Sequence, residues 1–331
     1  MQPQIDLNVT NRCNFRCIQC GFASGSEATA MKDMDLDFAK QVLIDFKNIG
    51  GVKVDFTGGE PMLYAELPTL IAFASSLGLK TKLVTNGSLL TNQKLIELQE
   101  LGLNGISVSI DGSNYKTFSK IRPVTETIYQ RILQLIRNSV ALNLFTKINT
   151  VIFNSNIDDI EKIVQQAIDL KTQEIRFCFF APLGRGTDHF DEVADPVVWL
   201  DLVRNNLIKY KDQIRIVLEA PIIEKSFSCQ TKCLARNLGF LQIFPNGDAY
   251  PCSIMATYWR PIVNLTQQSL ADFWQNKSNA QAKYFVDEIL PLVAKQAGCI
   301  DYPFHDLYHY KTGAYKFICP SRKFLVEEVT L

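Results

Sequence analysis

The chain has 331 residues, of which 47% are hydrophobic and 21% charged, as expected for a globular protein with one large or two modest cores. Basic and acidic residues number 34 each, which argues against a nucleic-acid or anionic-membrane partner. No window reaches the roughly 18 apolar residues that a membrane span needs. The polar N-terminus leaves no room for a signal peptide, so we expect a cytoplasmic protein.

Short apolar segments alternate with amphipathic ones from the N-terminus to about residue 212. The apolar segments predict six strands, at residues 5–9, 52–56, 79–84, 105–110, 145–152 and 174–180. The amphipathic segments predict helices at residues 36–48, 66–77, 92–101, 127–141, 157–170 and 196–211. This alternation predicts parallel strands, and six units are too few for a closed eight-stranded barrel. We therefore predict an α/β fold, a partial (β/α)6 barrel, with a small C-terminal extension.

Glycines and small polar residues follow five of the predicted strands, at residues 10–13, 57–61, 85–87, 111–112 and 182–186. The carboxyl ends of parallel strands form the edge where such folds place their active sites. A single Asn-Gly or Asp-Gly pair is an ordinary turn, but five segments at corresponding positions predict a ligand-binding rim. Cys178 is interpreted as a core residue, and Arg122 and Arg176 as surface or salt-bridge residues that can also contact a carboxylate.

The cysteines indicate metal or cluster chemistry. Nine cysteines, an odd number without an export signal, argue against a disulfide framework. Cys13, Cys17 and Cys20 are spaced CxxxCxxC in the loop after the first strand. Three such thiolates can hold three irons of a 4Fe–4S cluster and leave the fourth iron open to another ligand. The alternative is zinc, which prefers four protein ligands, and no nearby His or Cys completes that set.

As a set, these motifs resemble the radical S-adenosylmethionine (SAM) superfamily. The CxxxCxxC loop, Gly-Gly-Glu-Pro at 58–61, Thr-Asn-Gly at 85–87 and Ser-Ile-Asp-Gly at 109–112 match it in order, over roughly residues 4–190. The resemblance implies that a reduced cluster cleaves bound SAM to a 5′-deoxyadenosyl radical, which abstracts a substrate hydrogen. The implied SAM-binding residues are Gly58, Gly59, Glu60, Asn86, Ser109 and Asp111. Gln19 departs from the pattern, because many members carry an aromatic residue there.

The C-terminal part resembles the SPASM or twitch extension of the same superfamily. Cys233 precedes, and Cys252 follows, a predicted hairpin with strands at 241–244 and 249–250. The resemblance implies one auxiliary 4Fe–4S cluster, with Cys299 and Cys319 completing the ligands; a full SPASM domain has more cysteines. Zinc or scattered structural thiols are the alternatives. We predict two domains, a barrel at 1–212 and the cysteine-bearing extension at 213–331.

Cys229 is left over, four residues before Cys233. A thiol near a radical site can donate a hydrogen atom, as the epimerases of ribosomally made peptides do, and the residues after the cysteine loop also resemble that group. The alternatives are that Cys229 is a cluster ligand or is inert. The leading hypothesis is maturation of a ribosomally synthesised peptide, with L-to-D epimerisation as the best single reaction.

Two rival functions stay open. The first is radical oxidation, epimerisation or decarboxylation of a sugar or other small metabolite, favoured because little sequence precedes Cys13 to form a peptide-recognition domain. The second, from another class, is an iron–sulfur electron carrier, which forms no 5′-deoxyadenosine from SAM. The expected partners are a peptide or small-molecule substrate and an external one-electron reductant such as flavodoxin or ferredoxin.

Overall fold

The computed structural model describes residues 3–25, 33–194, 198, 202–219, 238–253, 255–257, 260–276 and 282–283. Its strands are β1 Gln4–Asn8, β2 Lys53–Thr57, β3 Lys80–Thr85, β4 Leu103–Ser109, β5 Phe145–Ile152, β6 Glu174–Phe179, β7 Arg215–Glu219, β8 Phe240–Ile243, β9 Asp248–Tyr250 and β10 Val263–Asn264. Its α-helices are α1 Leu36–Asn48, α2 Leu67–Ser76, α3 Asn92–Glu100, α4 Tyr115–Ile121, α5 Glu126–Ala141, α6 Ile160–Asp169 and α7 Leu270–Asn276.

The strands of the described part form one sheet in the order β10-β9-β8-β1-β2-β3-β4-β5-β6-β7. All neighbours from β8 through β1 to β7 are parallel, and β8, β9 and β10 pair antiparallel. This confirms the prediction of a partial α/β barrel with a C-terminal hairpin. Three features were not predicted: β7 and β10 extend the sheet at its two edges, and the hairpin strand β8 pairs directly with β1. The sheet thus continues across residue 212, and the division into two domains stays a prediction.

The two faces of the parallel strands differ in polarity. In β1, Ile5 and Leu7 are at most 1% exposed and belong to the main hydrophobic core, which the helices cover. Because successive side chains of a strand point to opposite faces, Asp6 and Asn8 point to the other face. We call this concave, polar face of the sheet the bore. Its upper end is the carboxyl edge of the strands, where the rim segments lie.

The helix boundaries follow ordinary capping chemistry. Asp35 caps α1 by accepting a hydrogen bond from the Phe38 amide at 2.9 Å. Helix α4 was not predicted, because its seven residues are too few to show a periodic pattern. The sequence signal for α4 was Asn114, which accepts a hydrogen bond from the Thr117 amide at 3.1 Å.

No helix of the described residues is long and apolar enough to cross a membrane.

Two predicted helices have different conformations in part. The segment predicted at 157–170 begins with a 3-10 turn, Ile157–Asp159, before α6. In the segment predicted at 196–211, the described residues include a π-helical turn at Val203–Leu207 and a 3-10 turn at Ile208–Tyr210. Apolar periodicity alone does not distinguish these tighter or wider turns from an α-helix.

Candidate active site

The loop after β1 brings the three N-terminal cysteines to the carboxyl edge of the sheet. Cys13, Cys17 and Cys20 all line one cavity of about 230 Å³. The Cys13 Sγ accepts a hydrogen bond from the Phe15 amide at 3.4 Å, and the Cys20 Sγ accepts one from the Ser24 amide at 3.3 Å. The loop backbone therefore orients two of the thiols by itself.

The three thiols supply the ligand type of a multi-iron cluster. Among the described residues, no three Cys, His, Asp or Glu side chains converge as ligands of one metal ion. A cluster binds each thiolate through a different iron, so its ligands stay apart on the cavity wall. Burial raises the pKa of Cys13 to about 11 and also raises that of Cys17. Because ligation requires thiolates, cluster binding must displace these protons.

The segment after β2 packs against the cysteine loop through its backbone. The Gly59 amide donates to the Thr10 carbonyl at 2.7 Å, and the Glu60 amide donates to the Arg12 carbonyl at 2.8 Å. A Cβ on Gly59 would lie 2.3 Å from the Arg12 carbonyl oxygen. Gly58 has a φ of 147°, and a Cβ there would lie 2.3 Å from the Thr10 carbonyl oxygen. Both glycines line the cavity, and a side chain at either position would collide with the backbone of the cysteine loop.

Glu60 is fully buried and points away from the cavity toward the end of β3. Its Oε1 accepts hydrogen bonds from the Thr85 hydroxyl at 2.7 Å and the Met62 amide at 3.1 Å. Its Oε2 accepts one from the Asn86 amide at 2.8 Å. Burial raises the pKa of Glu60, and these three hydrogen bonds oppose the rise. Its position makes Glu60 a link between two rim segments, and its contact with SAM stays a prediction.

Glu60→Gln is expected to lower the free energy of unfolding by about 1–3 kcal/mol, because an amide NH₂ must then face one of the three donors. Denaturant unfolding of the two proteins measures the difference. The matched control is Glu97→Gln on the exposed face of α3, which is expected to have little effect. An unchanged stability in Glu60→Gln would show that these three hydrogen bonds do not hold the rim together.

Asn86 and Ser109, which the resemblance implies as SAM-binding residues, also line the cavity. The Asn86 side-chain amide donates to Asn14 Oδ1 at 2.9 Å and lies 4.0 Å from the Cys13 Sγ. Asn86 therefore contacts the cysteine loop with its side chain and Glu60 with its backbone. Among the predicted SAM-binding residues, Gly58, Gly59, Asn86 and Ser109 share the cavity with the cysteines.

Asp111 is fully buried and lies behind the cavity wall. Its Oδ2 accepts hydrogen bonds from Gln19 at 2.9 Å and from the Arg122 Nε at 2.6 Å. Its Oδ1 accepts one from the Val151 amide at 2.7 Å. Gln19, the position that departs from the family pattern, thus ties the cysteine loop to β5 through Asp111.

Arg122 is the site residue that sequence reasoning undervalued. It is 9% exposed and lines the cavity, and its Nη1 donates to the Cys17 Sγ at 3.4 Å. Burial alone lowers the pKa of Arg122, but Asp111 and Cys17 raise it above its ordinary value, so the guanidinium stays charged. A cation beside a thiol favours the thiolate that a metal needs. The sequence signal that could have identified Arg122 as a site residue is its position shortly after the Asp-Gly rim segment.

A second arginine, Arg185, was not predicted by itself, although its segment was assigned to the rim. Its Nε donates to the Cys17 carbonyl at 3.1 Å, and its amide donates to the Cys20 carbonyl at 3.1 Å. Gly184 has a φ of 53°, and a Cβ there would lie 2.3 Å from the Gly21 carbonyl oxygen. The segment after β6 therefore packs against the cysteine loop.

Cys252 is the one auxiliary-cluster candidate within the described residues, where it follows β9 and packs against the core. The predicted ligands or donor at Cys229, Cys233, Cys299 and Cys319 lie outside the described residues.

Aromatic contacts join the cysteine loop to the hairpin. The Phe22 ring centroid lies 5.3 Å from that of Phe244, which lies 5.5 Å from that of Tyr250. The hairpin that leads to Cys252 is therefore packed beside the cysteine loop.

Cys178 differs from its interpretation as a core residue. It is partly exposed and lies on β6 in register with Val151. By strand alternation it shares the bore face with Arg176, whereas Phe177 faces the core. The apolar neighbours in the sequence belong to the opposite face, which is why the run of hydrophobic residues was misleading.

A larger groove, of about 430 Å³, lies on the outer surface along α5 and α6. Arg137, Lys162 and Asp169 are among its lining residues. It contains no cysteine and none of the residues predicted to bind SAM. The three N-terminal cysteines and four of the predicted SAM-binding residues line the smaller cavity instead.

Two family models match the chain. The model of the radical SAM superfamily matches residues 7–167, and the SPASM iron–sulfur cluster-binding domain matches residues 233–299. The second match begins at Cys233 and ends at Cys299. Both matches agree with the resemblances inferred from the motifs.

The curated relatives that the chain matches are named for different activities. The chain is 26% identical over 293 residues to the AdoMet-dependent heme synthase of Methanosarcina barkeri, covering 82% of each protein. It is 25% identical over 277 residues to the PqqA peptide cyclase of Bradyrhizobium diazoefficiens, covering 82% of this chain and 72% of the cyclase.

The fold is similar to that of Streptococcus suis SuiB in the crystal structure with its precursor peptide SuiA. The TM-score is 0.69 at 17% sequence identity, and the match covers 83% of this chain and 64% of SuiB. The chain thus spans slightly less than two thirds of that protein. At this low sequence identity, the similarity to SuiB shows a shared fold alone.

Proposed function

We propose that the chain, which matches the radical SAM superfamily at residues 7–167 and the SPASM domain at residues 233–299, is a radical SAM enzyme that matures a ribosomally synthesised peptide by abstracting hydrogen from an α-carbon. The observation that carries the radical part is the cavity shared by Cys13, Cys17, Cys20 and the two glycines after β2. When bound, a 4Fe–4S cluster and SAM supply a 5′-deoxyadenosyl radical. Cys13, Cys17 and Cys20 would hold the cluster, and the cavity wall at Gly58, Gly59, Asn86 and Ser109 would receive SAM.

A peptide substrate is supported by the relatives. The PqqA peptide cyclase matches 82% of this chain, which includes both the barrel and part of the extension. The fold is shared with SuiB, whose structure contains a precursor peptide. These likenesses favour a peptide and leave the reaction type open, because cyclisation and epimerisation can begin with the same hydrogen abstraction.

For the reaction we propose L-to-D epimerisation, with Cys229 as the hydrogen donor. Cys229 is four residues before the start of the SPASM match and lies outside the described residues. The α-hydrogen leaves on one face, and the Cys229 S–H bond breaks to deliver hydrogen to the other face. The sulfur radical then takes one electron from the external reductant and one proton from solvent, which restores the thiol.

In heavy water, the converted peptide is expected to carry deuterium at the α-carbon of the altered residue, because the thiol proton exchanges with solvent. Mass spectrometry and chiral analysis measure the label and the configuration. Cys229→Ala is expected to lose the epimerised product, while deuterium from an α-deuterated peptide still moves to 5′-deoxyadenosine. The matched control is Cys178→Ala. A converted peptide without label would exclude a solvent-exchangeable donor.

A second candidate is a radical reaction on a sugar or other small metabolite. The observation that favours it is the match to the AdoMet-dependent heme synthase, which also covers 82% of this chain. A gene for a short peptide beside this one would favour the peptide. Conversion of a small metabolite, with no change in that peptide under the same conditions, would favour the second candidate.

A further inference from the structure

The bore wall directly below the cavity is formed by a row of side chains at one level of the sheet. Asn8 is in register with Thr57 on β2, and Val84 is in register with Ser107 on β4. In-register residues of parallel strands point to the same face. Thr57 and Val84 line the cavity that contains the cysteines. Asn8 and Ser107 therefore flank the part of the bore that opens into this cavity.

Three bore residues that are at least 95% buried each carry a polar side-chain atom without a hydrogen-bond partner in the part of the chain that the structure describes. These atoms are the Asn8 Nδ2, the Ser107 Oγ and the Gln242 Oε1; the Oδ1 of Asn149, a less buried residue of the same face, has none either. Asn8, Ser107 and Gln242 are 1%, 0% and 5% exposed, respectively. Gln242 lies on β8 in register with Asp6 and so faces the bore as well. A buried polar group without a partner is costly, which points to a ligand that satisfies these three.

Charged side chains at the levels of Ser107 and Gln242 are already paired. Lys82 contacts Asp55, and the Lys147 Nζ lies 3.7 Å from the Glu174 Oε1. The buried cations thus have carboxylate partners of their own. A charged group of a ligand would lose its hydration here without gaining a counter-charge.

The pKa values of Asp6 and of Lys147 itself indicate that this region disfavours charge. Burial, with the neighbouring Asp55, raises the pKa of Asp6 to about 7. Burial, with Lys82 and Arg176, lowers the pKa of Lys147 to about 7. Both shifts favour the neutral forms of the side chains, so an uncharged ligand group suits the bore better than a charged one.

We infer that this part of the bore binds an uncharged amide group of the substrate, with Asn8 as donor and Gln242 as acceptor. A peptide group offers one carbonyl acceptor and one N–H donor, which complement the Asn8 Nδ2 and the Gln242 Oε1. The Ser107 hydroxyl can serve either role. The inference rests on the proposed function, because it identifies the part of a peptide that the enzyme holds below the reacting carbon.

The test uses the cluster-reconstituted, SAM-loaded protein and three matched probes: N-acetylvaline N-methylamide, which is neutral, N-acetylvaline, which is an anion, and valine N-methylamide, which is a cation. Thermal unfolding is measured against probe concentration. The neutral probe is expected to raise the unfolding midpoint, because a ligand that binds the native state stabilises it. The charged probes are expected to cause little or no shift.

Asn8→Leu and Gln242→Leu are each expected to weaken binding of the neutral probe about tenfold, since each loses one hydrogen bond to a buried partner. The matched control is Gln93→Leu on the exposed surface of α3, which is expected to keep the wild-type response. If a leucine variant does not fold, Ser107→Ala, the smallest of the three changes, replaces it, and its binding of the neutral probe is compared with that of the wild type.

Three results would overturn the inference: no shift of the wild type with the neutral probe, equal shifts with all three probes, or undiminished binding in the folded bore variants. Failure of the proposed function has a different signature. In that case no peptide is converted by the wild type, whereas the neutral amide still binds and the bore variants still lose it.

Discussion

Replacing Cys13, Cys17 and Cys20 together with alanine is expected to reduce the iron of the reconstituted protein from about eight to about four atoms and to abolish 5′-deoxyadenosine formation. The three thiols line one cavity with Gly58 and Gly59. Because no other described cysteine lines this cavity, none can replace them there. The remaining four irons would belong to the auxiliary cluster. Iron and sulfide analysis after anaerobic reconstitution, with chromatography of the SAM products, measures both effects.

The control is Cys178→Ala, which removes a thiol on β6 that does not line this cavity. It is expected to retain both the iron and the SAM cleavage. A fall from about four irons to none would mean that the C-terminal cysteines hold no cluster, and the auxiliary site would be abandoned while the radical site stands. Unchanged iron in the triple variant would disprove the assignment of the N-terminal cysteines.

Asp111→Ala is expected to lower the free energy of unfolding by about 3–5 kcal/mol, because it leaves a buried guanidinium without its counter-charge. Asp111 is fully buried, and the Arg122 side chain is 11% exposed, with 2.6 Å between the Arg122 Nε and the Asp111 Oδ2. The substitution also removes the acceptor for Gln19. Denaturant unfolding measures the stability, and iron analysis shows whether the cysteine loop still assembles its cluster.

Two comparisons test whether the effect comes from the unpaired charge. Asp111→Leu combined with Arg122→Met removes both charges and is expected to recover much of the stability that Asp111→Ala loses. Glu161→Ala breaks the partly exposed pair with Lys209 and the hydrogen bond from the Tyr210 hydroxyl, and is expected to change stability much less. If Asp111→Ala were no more destabilising than Glu161→Ala, the buried pair would not hold the site together.

The sequence by itself determined the alternation of strands and helices and the position of the rim. Five of the segments after predicted strands carry glycine or small polar residues, and parallel pairing brings such segments to one edge. The CxxxCxxC spacing likewise identified Cys13, Cys17 and Cys20, because three ligands within eight residues need only one loop. These features could be predicted because their signals are local in the chain.

The tertiary structure decided which distant groups meet. β8 pairs with β1, more than 200 residues earlier, as the register of Leu241 with Ile5 shows. The Arg122 contact with Cys17 spans 105 positions, and the Arg185 contact spans 168. Strand alternation, rather than the apolar run around it, placed Cys178 in the bore. Such contacts depend on how packed strands and loops are brought together in three dimensions, and no short pattern in the sequence encodes them.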